Sequence, residues 1–596
     1  MCSHNIINIP PQQSSWIFGI CYSIVLFIPD VFFVEAPGLR GYIVTLLFDF
    51  VFSLSLTFLV CLFVFWFGKI SSVAYKILHI FLHLLIYSFT FVELFLYFQF
   101  DLRLNTFTFQ LLNETNSTEV GGFIQMYVLN STTFLLLCIV LAIFILEIVC
   151  LHLQSRCYHE ERCKRIRIVG LSTKKFGFFF LCFGTIMMLA TLSELRYFTS
   201  NMDWNYYNSD KLIRRNHFWQ LHQSWLQYEK SEVELDQCVL SQQNVSIDSV
   251  TYRSSNIVLI IGETFNRHHS NLYGYPLNTN PKLSELKNLF VFNDVISTIN
   301  ATTLSFKNFM SFNHIGDTIR WNQTPLFPAL FKAAGYNVVF WSNQFVNEGN
   351  VDYFDASAGF FNHPSIAPRL FCSRNNRKFT YDGELIEDYR RHRQSVEKDS
   401  MNLIIFHLYG QHFPPEMRYP ANMGKFTADD ILRPTLSEQQ RTEIALYDNA
   451  TYYNDSIVAG IISMYENRDA IVIYFADHGE EINDFRAKRG RALDVEQAGG
   501  ACLQCQLDVP LLIWMSEKYM DGHPDVLQQI ESSLNRPWMT DDLPHLLLDL
   551  AGIYSRWFNP SRSVINAQFD STRHRCIKEF DYDAICNGRP FEFVNF

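Results

Sequence analysis

The sequence predicts a two-part chain: an α-helical membrane domain of five transmembrane helices, followed by an α/β domain outside the membrane. Three observations carry that prediction. Long apolar segments are confined to the first third of the chain. The remainder alternates short apolar runs with amphipathic stretches, and metal-ligating side chains collect just after those runs.

The chain has 596 residues, 48% of them apolar and 16% aromatic, including 55 Phe; it is too long for one ordinary domain and too apolar for a wholly water-soluble one. Segments 16–35, 43–68, 75–99, 127–150 and 175–195 each hold enough apolar residues for a helix to cross a bilayer. Asp30 and Glu35 interrupt the end of the first, and nothing comparable follows Leu195. Lys69 and Lys76 flank the second loop, while Arg156, Arg162, Lys164, Arg165, Arg167, Lys174 and Lys175 crowd the fourth. Those loops are expected on the cytoplasmic side, which places the N-terminus inside and everything after about residue 196 outside. The first span lacks a small-residue cleavage pattern, so no separate cleavable signal is expected.

The expected division is a transmembrane domain at 1–197, an interfacial or linker segment at 198–250, and the external domain at 251–596. Trp204, Tyr206, Tyr207, Phe218, Trp219, Trp225 and Tyr228 interleave with Lys211, Arg214 and Arg215. That mixture suits either the headgroup region or a linker packed on the external domain. Six cysteines follow the membrane segments: Cys238, Cys372, Cys502, Cys505, Cys576 and Cys586. An even set outside the membrane suggests disulfides of undetermined pairing, with half a zinc knuckle at Cys502 and Cys505 as the alternative. A formal net charge of −11 argues against a nucleic-acid-binding surface.

In the external part the runs Asn256 to Ile261, Asn337 to Trp341, Asn402 to Leu408, Ala470 to Phe475 and Val509 to Trp514 read as strands of a sheet covered on both faces. In such a sheet, ligands bind beyond the carboxyl ends of the strands. Glu263 follows the first run, Ser342-Asn343-Gln344 the second, Gln411 and His412 the third, and Asp477 and His478 the fourth. Two carboxylates and an imidazole suit zinc or manganese. The best nucleophile lies in Asn300-Ala301-Thr302-Thr303-Leu304, with a helix expected over Leu304 to Phe312. A hydroxyl at a helix start sits among free amide donors, which favour an alkoxide or a phosphate oxygen; the competing reading is a plain N-cap threonine.

Ile261-Gly262-Glu263-Thr264, Leu272-Tyr273-Gly274-Tyr275-Pro276, Thr279-Asn280-Pro281, Tyr447-Asp448-Asn449, Asp477-His478-Gly479-Glu480-Glu481 and Met539 to His545 occur in an order that resembles the bacterial phosphoethanolamine transferases, a membrane branch of the alkaline phosphatase and sulfatase superfamily. The resemblance covers nearly the whole external domain and implies an α/β sandwich of alkaline phosphatase/sulfatase type. It also implies zinc held by Glu263, Thr303, Asp477 and His478. Thr303 is the residue expected to become phosphoethanolamine-modified, with Thr302 as second choice. His412 is expected to contact phosphate or protonate a leaving oxygen.

The implied reaction moves phosphoethanolamine from phosphatidylethanolamine to a lipopolysaccharide or lipooligosaccharide sugar, in core or lipid A, at the outer side of the bacterial inner membrane. The enzyme is expected to be a multi-pass monomer with its catalytic domain in the periplasm. Gln110, Thr115 and Glu119 fall where the family places a headgroup-binding patch, although Leu111 stands where relatives often carry an amide; Asn343 is a further substrate-binding candidate. Another departure lies after Glu481. Residues 482 to 508 contain no histidine, which puts a second zinc in doubt. Arg486, Lys488, Arg489 and Arg491 sit there instead, either holding phosphate or forming a solvated loop. Two rivals share much of this reading: a phosphoglycerol transferase acting on a glycan or polymer, and a non-enzymatic membrane scaffold. The Glu480-Glu481 pair and the Met539 to His545 segment look most like the branch that modifies lipopolysaccharide core sugars.

Overall fold

Isoleucine, valine and aromatic residues in runs of six or seven can be buried on both faces only as central strands, and the external part is built around such strands. A computed structural model describes residues 233–593 apart from short gaps, the longest at 347–361 and 492–498. Before that it describes 21–29, 72–100 and 124–159, together with scattered positions. The chain divides into two compact units, Met1–Leu226 and Gln227–Phe596.

In the first unit, α1 (Ser72–Phe100) and α2 (Ser131–His159) contain stretches, Ile77–Gln99 and Ser131–Val149, long and apolar enough to cross a membrane. Among the described residues an apolar seam is buried: Leu82, Ile86, Tyr87 and Leu94 of α1 and Leu136 and Val140 of α2 cluster with Tyr22 and Val25. Ile80, Phe81, Leu84, Leu135 and Leu146 are exposed, an arrangement suited to lipid rather than water. These two helices coincide with the third and fourth expected spans. Residues 21–29 of the first are helical; the second and fifth lie, scattered positions aside, outside the described residues.

The second unit is organised by a seven-stranded sheet. Its strands are β1 (Asn256–Gly262), β2 (Leu289–Phe292), β3 (Asn337–Ser342), β4 (Ser373–Arg374), β5 (Asn402–His407), β6 (Ile471–Ala476) and β7 (Leu511–Met515). Their order is β2-β7-β6-β1-β5-β3-β4. From β6 across to β4 the neighbours are parallel, and β7 runs antiparallel to both β6 and β2. Every residue of β1, β3, β5 and β6 is buried. Burying one such isoleucine or valine contributes about 1.5–3 kcal/mol. The helices α3 (Thr302–Met310), α4 (Asp382–Val396), α5 (Glu438–Ser463), α6 (Gly500–Leu507) and α7 (Leu543–Ala551) belong to the same unit.

All five strands expected from the apolar runs are present. The expectation was incomplete at β2 and β4, which are partly exposed and too short to stand out as apolar runs. The disulfide expectation is not met: none of Cys238, Cys372, Cys502, Cys505, Cys576 and Cys586 is joined in a disulfide. Cys502 and Cys505 lie one turn apart on α6, Cys238 sits in the main core, and Cys372 is exposed.

Candidate metal centre and nucleophile

Strand register places the site. Gly262 at the end of β1 pairs with Ala476 at the end of β6, so Glu263 and Asp477 leave adjacent parallel strands side by side. The turn after β1 is strained: Thr264, a β-branched residue, holds φ +58. It is clasped by its partners. Its N–H donates to Asp477 Oδ1 at 3.0 Å, its hydroxyl donates to Glu263 Oε1 at 2.7 Å, and its carbonyl accepts from the Tyr447 hydroxyl at 2.6 Å. The loop after β5 approaches from the other side. A Cβ on Gly410, at φ +52, would sit 2.7 Å from the Glu263 carbonyl oxygen, so only glycine lets that loop close on the turn.

Hydrogen bonding fixes the protonation of His478. Its Nδ1–H donates to the Gly479 carbonyl at 2.8 Å, which leaves the lone pair on Nε2. Nε2 lies 3.4 Å from Glu263 Oε1, 3.4 Å from Asp477 Oδ2 and 3.2 Å from Thr302 Oγ1, and Thr302 Oγ1 donates to Glu263 Oε1 at 3.0 Å. All four residues are buried, and Asp477 Oδ2 has no hydrogen-bond donor. Lone pairs converging on one point repel unless a cation lies between them. Donor atoms around a tetrahedral zinc stand about 3.3 Å apart, so these residues fit the ion. Glu263, Asp477 and His478 would hold it, with the Thr302 hydroxyl as fourth donor.

The electrostatics agree. Burial and the neighbouring charge of Glu263 push the Asp477 carboxyl well up. Burial alone would push Glu263 up too, but His478, His412, the Thr264 hydroxyl and Arg491 together hold it below the usual carboxylate range. Burial, with Arg491 beside it, holds His478 down to about 3, and burial holds His407 down to about 3, so both imidazoles are neutral.

Thr302, the second choice from the sequence, places its hydroxyl against Glu263 and His478, with the favoured Thr303 buried next to it. Helix α3 starts at Thr302 itself, two residues before the expected Leu304, and its N-cap is Ala301, which offers no side-chain cap to the first amides. Successive residues on a helix are turned by about 100°, so only one of two adjacent threonines faces a given point. The N-terminal amides of α3 therefore remain for an anion.

Asn343 is committed elsewhere. Its side chain donates to Asp382 Oδ1 at 3.0 Å and accepts from the Phe379 N–H at 2.7 Å. Its neighbour Gln344, named from the sequence only within Ser342-Asn343-Gln344, reaches the site by donating to Glu263 Oε2 at 3.2 Å and to the Leu408 carbonyl at 2.8 Å. His412 Nδ1 donates to the Phe413 carbonyl at 2.8 Å, so any proton it passes to a substrate moves through Nε2. Gln110, Thr115 and Glu119 lie outside the described residues.

A second group of metal-ligand types, His314, Asp542 and His545, is also buried, but both ring nitrogens of His545 are engaged in hydrogen bonds within the protein. The Asn559 N–H donates to His545 Nδ1 at 3.1 Å, so Nε2 of this neutral ring carries the proton and donates to His314 Nε2 at 3.2 Å. His314 Nδ1 then faces Asp542 Oδ1 at 3.2 Å, and Arg573 neutralises Asp542 at 2.7 Å.

Fold and site together define an α/β domain of the sulfatase class, with a donor set for a metal and a helix-initial hydroxyl at the strand ends. A family model described as Sulfatase matches residues 255–553, half of the chain, and the chain belongs to that family. Among its relatives, phosphoethanolamine transferase EptC of Escherichia coli strain K12 is 30% identical over 325 residues, 53% of this chain and 54% of the relative. Kdo(2)-lipid A phosphoethanolamine 7''-transferase of the same organism is 28% identical over 266 residues, 45% of each chain. The chain thus spans about half the length of the curated relatives it matches. An integral membrane protein of known structure, lipooligosaccharide phosphoethanolamine transferase A from Neisseria meningitidis, shares the fold at TM-score 0.58 and 16% identity, over 93% of this chain and 97% of its own.

Proposed function

We propose that the protein is a zinc-dependent phosphoethanolamine transferase of the bacterial inner membrane, acting outside the cytoplasm. In this reading it takes phosphoethanolamine from phosphatidylethanolamine, holds it on Thr302, and passes it to a lipopolysaccharide sugar. The observation that carries the reading is the position of Thr302 Oγ1, 3.0 Å from Glu263 Oε1 and 3.2 Å from His478 Nε2 at the start of α3. The names of the relatives and the two apolar helices support the lipid setting.

When bound, zinc would supply Lewis acidity, lowering the pKa of the threonine hydroxyl and polarising the phosphoryl oxygen. Thr302 Oγ1 gives up its proton and bonds to phosphorus as the bond from phosphorus to the diacylglycerol oxygen breaks. That oxygen takes a proton, for which His412 Nε2 is the candidate donor, and diacylglycerol leaves into the bilayer. A sugar hydroxyl then attacks the same phosphorus as the bond from phosphorus to Thr302 Oγ1 breaks, and the proton lost by the sugar replaces the one lost from Oγ1, regenerating Thr302. The amides at the start of α3 offset the negative charge that builds on phosphorus in both halves. The Glu480-Glu481 pair and the Met539 to His545 segment, which resemble the branch that modifies lipopolysaccharide core sugars, favour a core sugar as acceptor.

Intact-mass measurement after incubation with zinc and phosphatidylethanolamine tests this directly. A phosphoethanolamine adduct is expected on the parent protein and on Thr303→Ala, and none on Thr302→Ala. An adduct with phosphatidylglycerol alone would replace the donor assignment by phosphoglycerol. No adduct with either lipid would point to a scaffold.

A further inference from the structure

The donor set of the candidate centre already touches a cation of the protein's own. Arg491 Nη1 donates to His478 Nε2 at 2.8 Å, on the lone pair a metal ligand would use. The other described arginines of the same loop are engaged away from it. Arg486 bonds Glu481 at 2.7 and 2.9 Å, and Arg489 lies 4.0 Å over the ring of Phe413. Among the described residues, Arg491 is the arginine bonded to the donor set.

Charge counting shows what such a residue does. Glu263 and Asp477, both ionised, would offset the two positive charges of a zinc ion. A phosphodiester brings one negative charge, and attack by an alkoxide leaves two on the pentacovalent species. The centre is therefore short of positive charge at the moment it needs it, and α3 supplies only partial charges. A guanidinium suits this deficit, since its planar fork of donors pairs with two phosphoryl oxygens at once and stays charged at any working pH.

We propose that Arg491 is the phosphoryl-binding cation of this site: its guanidinium, held at His478 Nε2, pairs with the phosphate of the transferred group when that lone pair is given to a metal. The inference rests on the phosphoryl-transfer reading of the site, but not on the identity of the lipid donor. Arg491 gives the loop after Glu481, which lacks histidine, a role in binding the substrate anion.

The test uses the full chain, loaded with zinc, and inorganic phosphate as the probe, titrated calorimetrically; zinc affinity is read separately by competition with a chelator. Arg491→Ala is expected to keep zinc affinity at or above the parent value and to weaken phosphate binding about tenfold or more. Arg491→Lys should recover part of that loss, because charge returns without the fork. Arg489→Ala should match the parent in both. Unchanged phosphate affinity in Arg491→Ala, no phosphate binding by the parent, or loss of zinc in step with phosphate would overturn the assignment. An Arg491-dependent phosphate site in a protein that forms no adduct with phosphatidylethanolamine would leave this inference standing and remove the donor assignment.

Discussion

The hydroxyl of Tyr447 holds both sides of the turn that carries Glu263. It donates to the Thr264 carbonyl at 2.6 Å and accepts from the Asn266 N–H at 2.9 Å. Thr264 is the strained residue of that turn, so a side chain from α5 maintains a backbone conformation that threonine disfavours. Tyr447→Phe keeps the ring and removes both bonds, leaving two buried backbone groups unpaired. Loss of about 1–3 kcal/mol of stability is expected, together with weaker zinc binding. Thermal unfolding and zinc titration of the variant check this; a variant with the parent's zinc affinity would show that the turn holds itself.

Gln344 supports Glu263 from the opposite side through its bond to Oε2. Gln344→Leu keeps the bulk and removes the donor. Zinc affinity should fall by about tenfold, the lower range for losing an outer partner of a metal ligand, while the fold persists.

The two buried clusters predict different metal stoichiometries from their proton orders alone. Elemental analysis of the purified full chain in excess zinc should give one tightly held ion. Asp477→Asn should abolish it, and His314→Ala should not. Two ions, one lost with His314, would mean that the bond from Asn559 to His545 Nδ1 is given up on metal binding.

His269 makes stability depend on pH. It lies between Asp448 at 2.8 Å and Asp484 at 3.1 Å. Burial alone would lower its pKa, but Asp484 and Asp448 outweigh burial and raise it from 6.5 to about 10. A group raised on folding contributes stability fully present below its unfolded value and lost as the pH rises through the folded one. The window is therefore pH 6.5 to about 10. In thermal unfolding the parent should lose stability across that window, and His269→Gln should show a flatter profile there.

The central strands were legible because burial on both faces leaves continuous apolar runs, and the candidate metal donors were legible because they directly follow two of those runs. What the sequence left open was direction. Thr302 and Thr303 are equivalent in composition, and only the rotation of α3 separates them. Asn343 and Gln344 follow a buried strand, where alternation no longer says which side chain turns inward. Arg491 lies thirteen residues beyond His478 in an irregular loop with no period to follow. Four of the six external cysteines suggested nothing about contact beyond their number, and even Cys502 and Cys505, three apart, share a helix turn without a disulfide between them.

The parallel order of β5, β1 and β6 also governs timing. Glu263 and Thr302 are made early, but Asp477 and His478 follow only after some two hundred more residues, on a strand that must slot in beside β1. A growing chain therefore carries its candidate nucleophile without the full donor set until about two thirds of the domain has been synthesised. Pairings so distant in sequence form slowly, because the loop must close before any contact rewards it. In the proposed reading, capture of zinc would then mark completed folding, and a chain stalled before Asp477 would carry Thr302 with only part of its donor set.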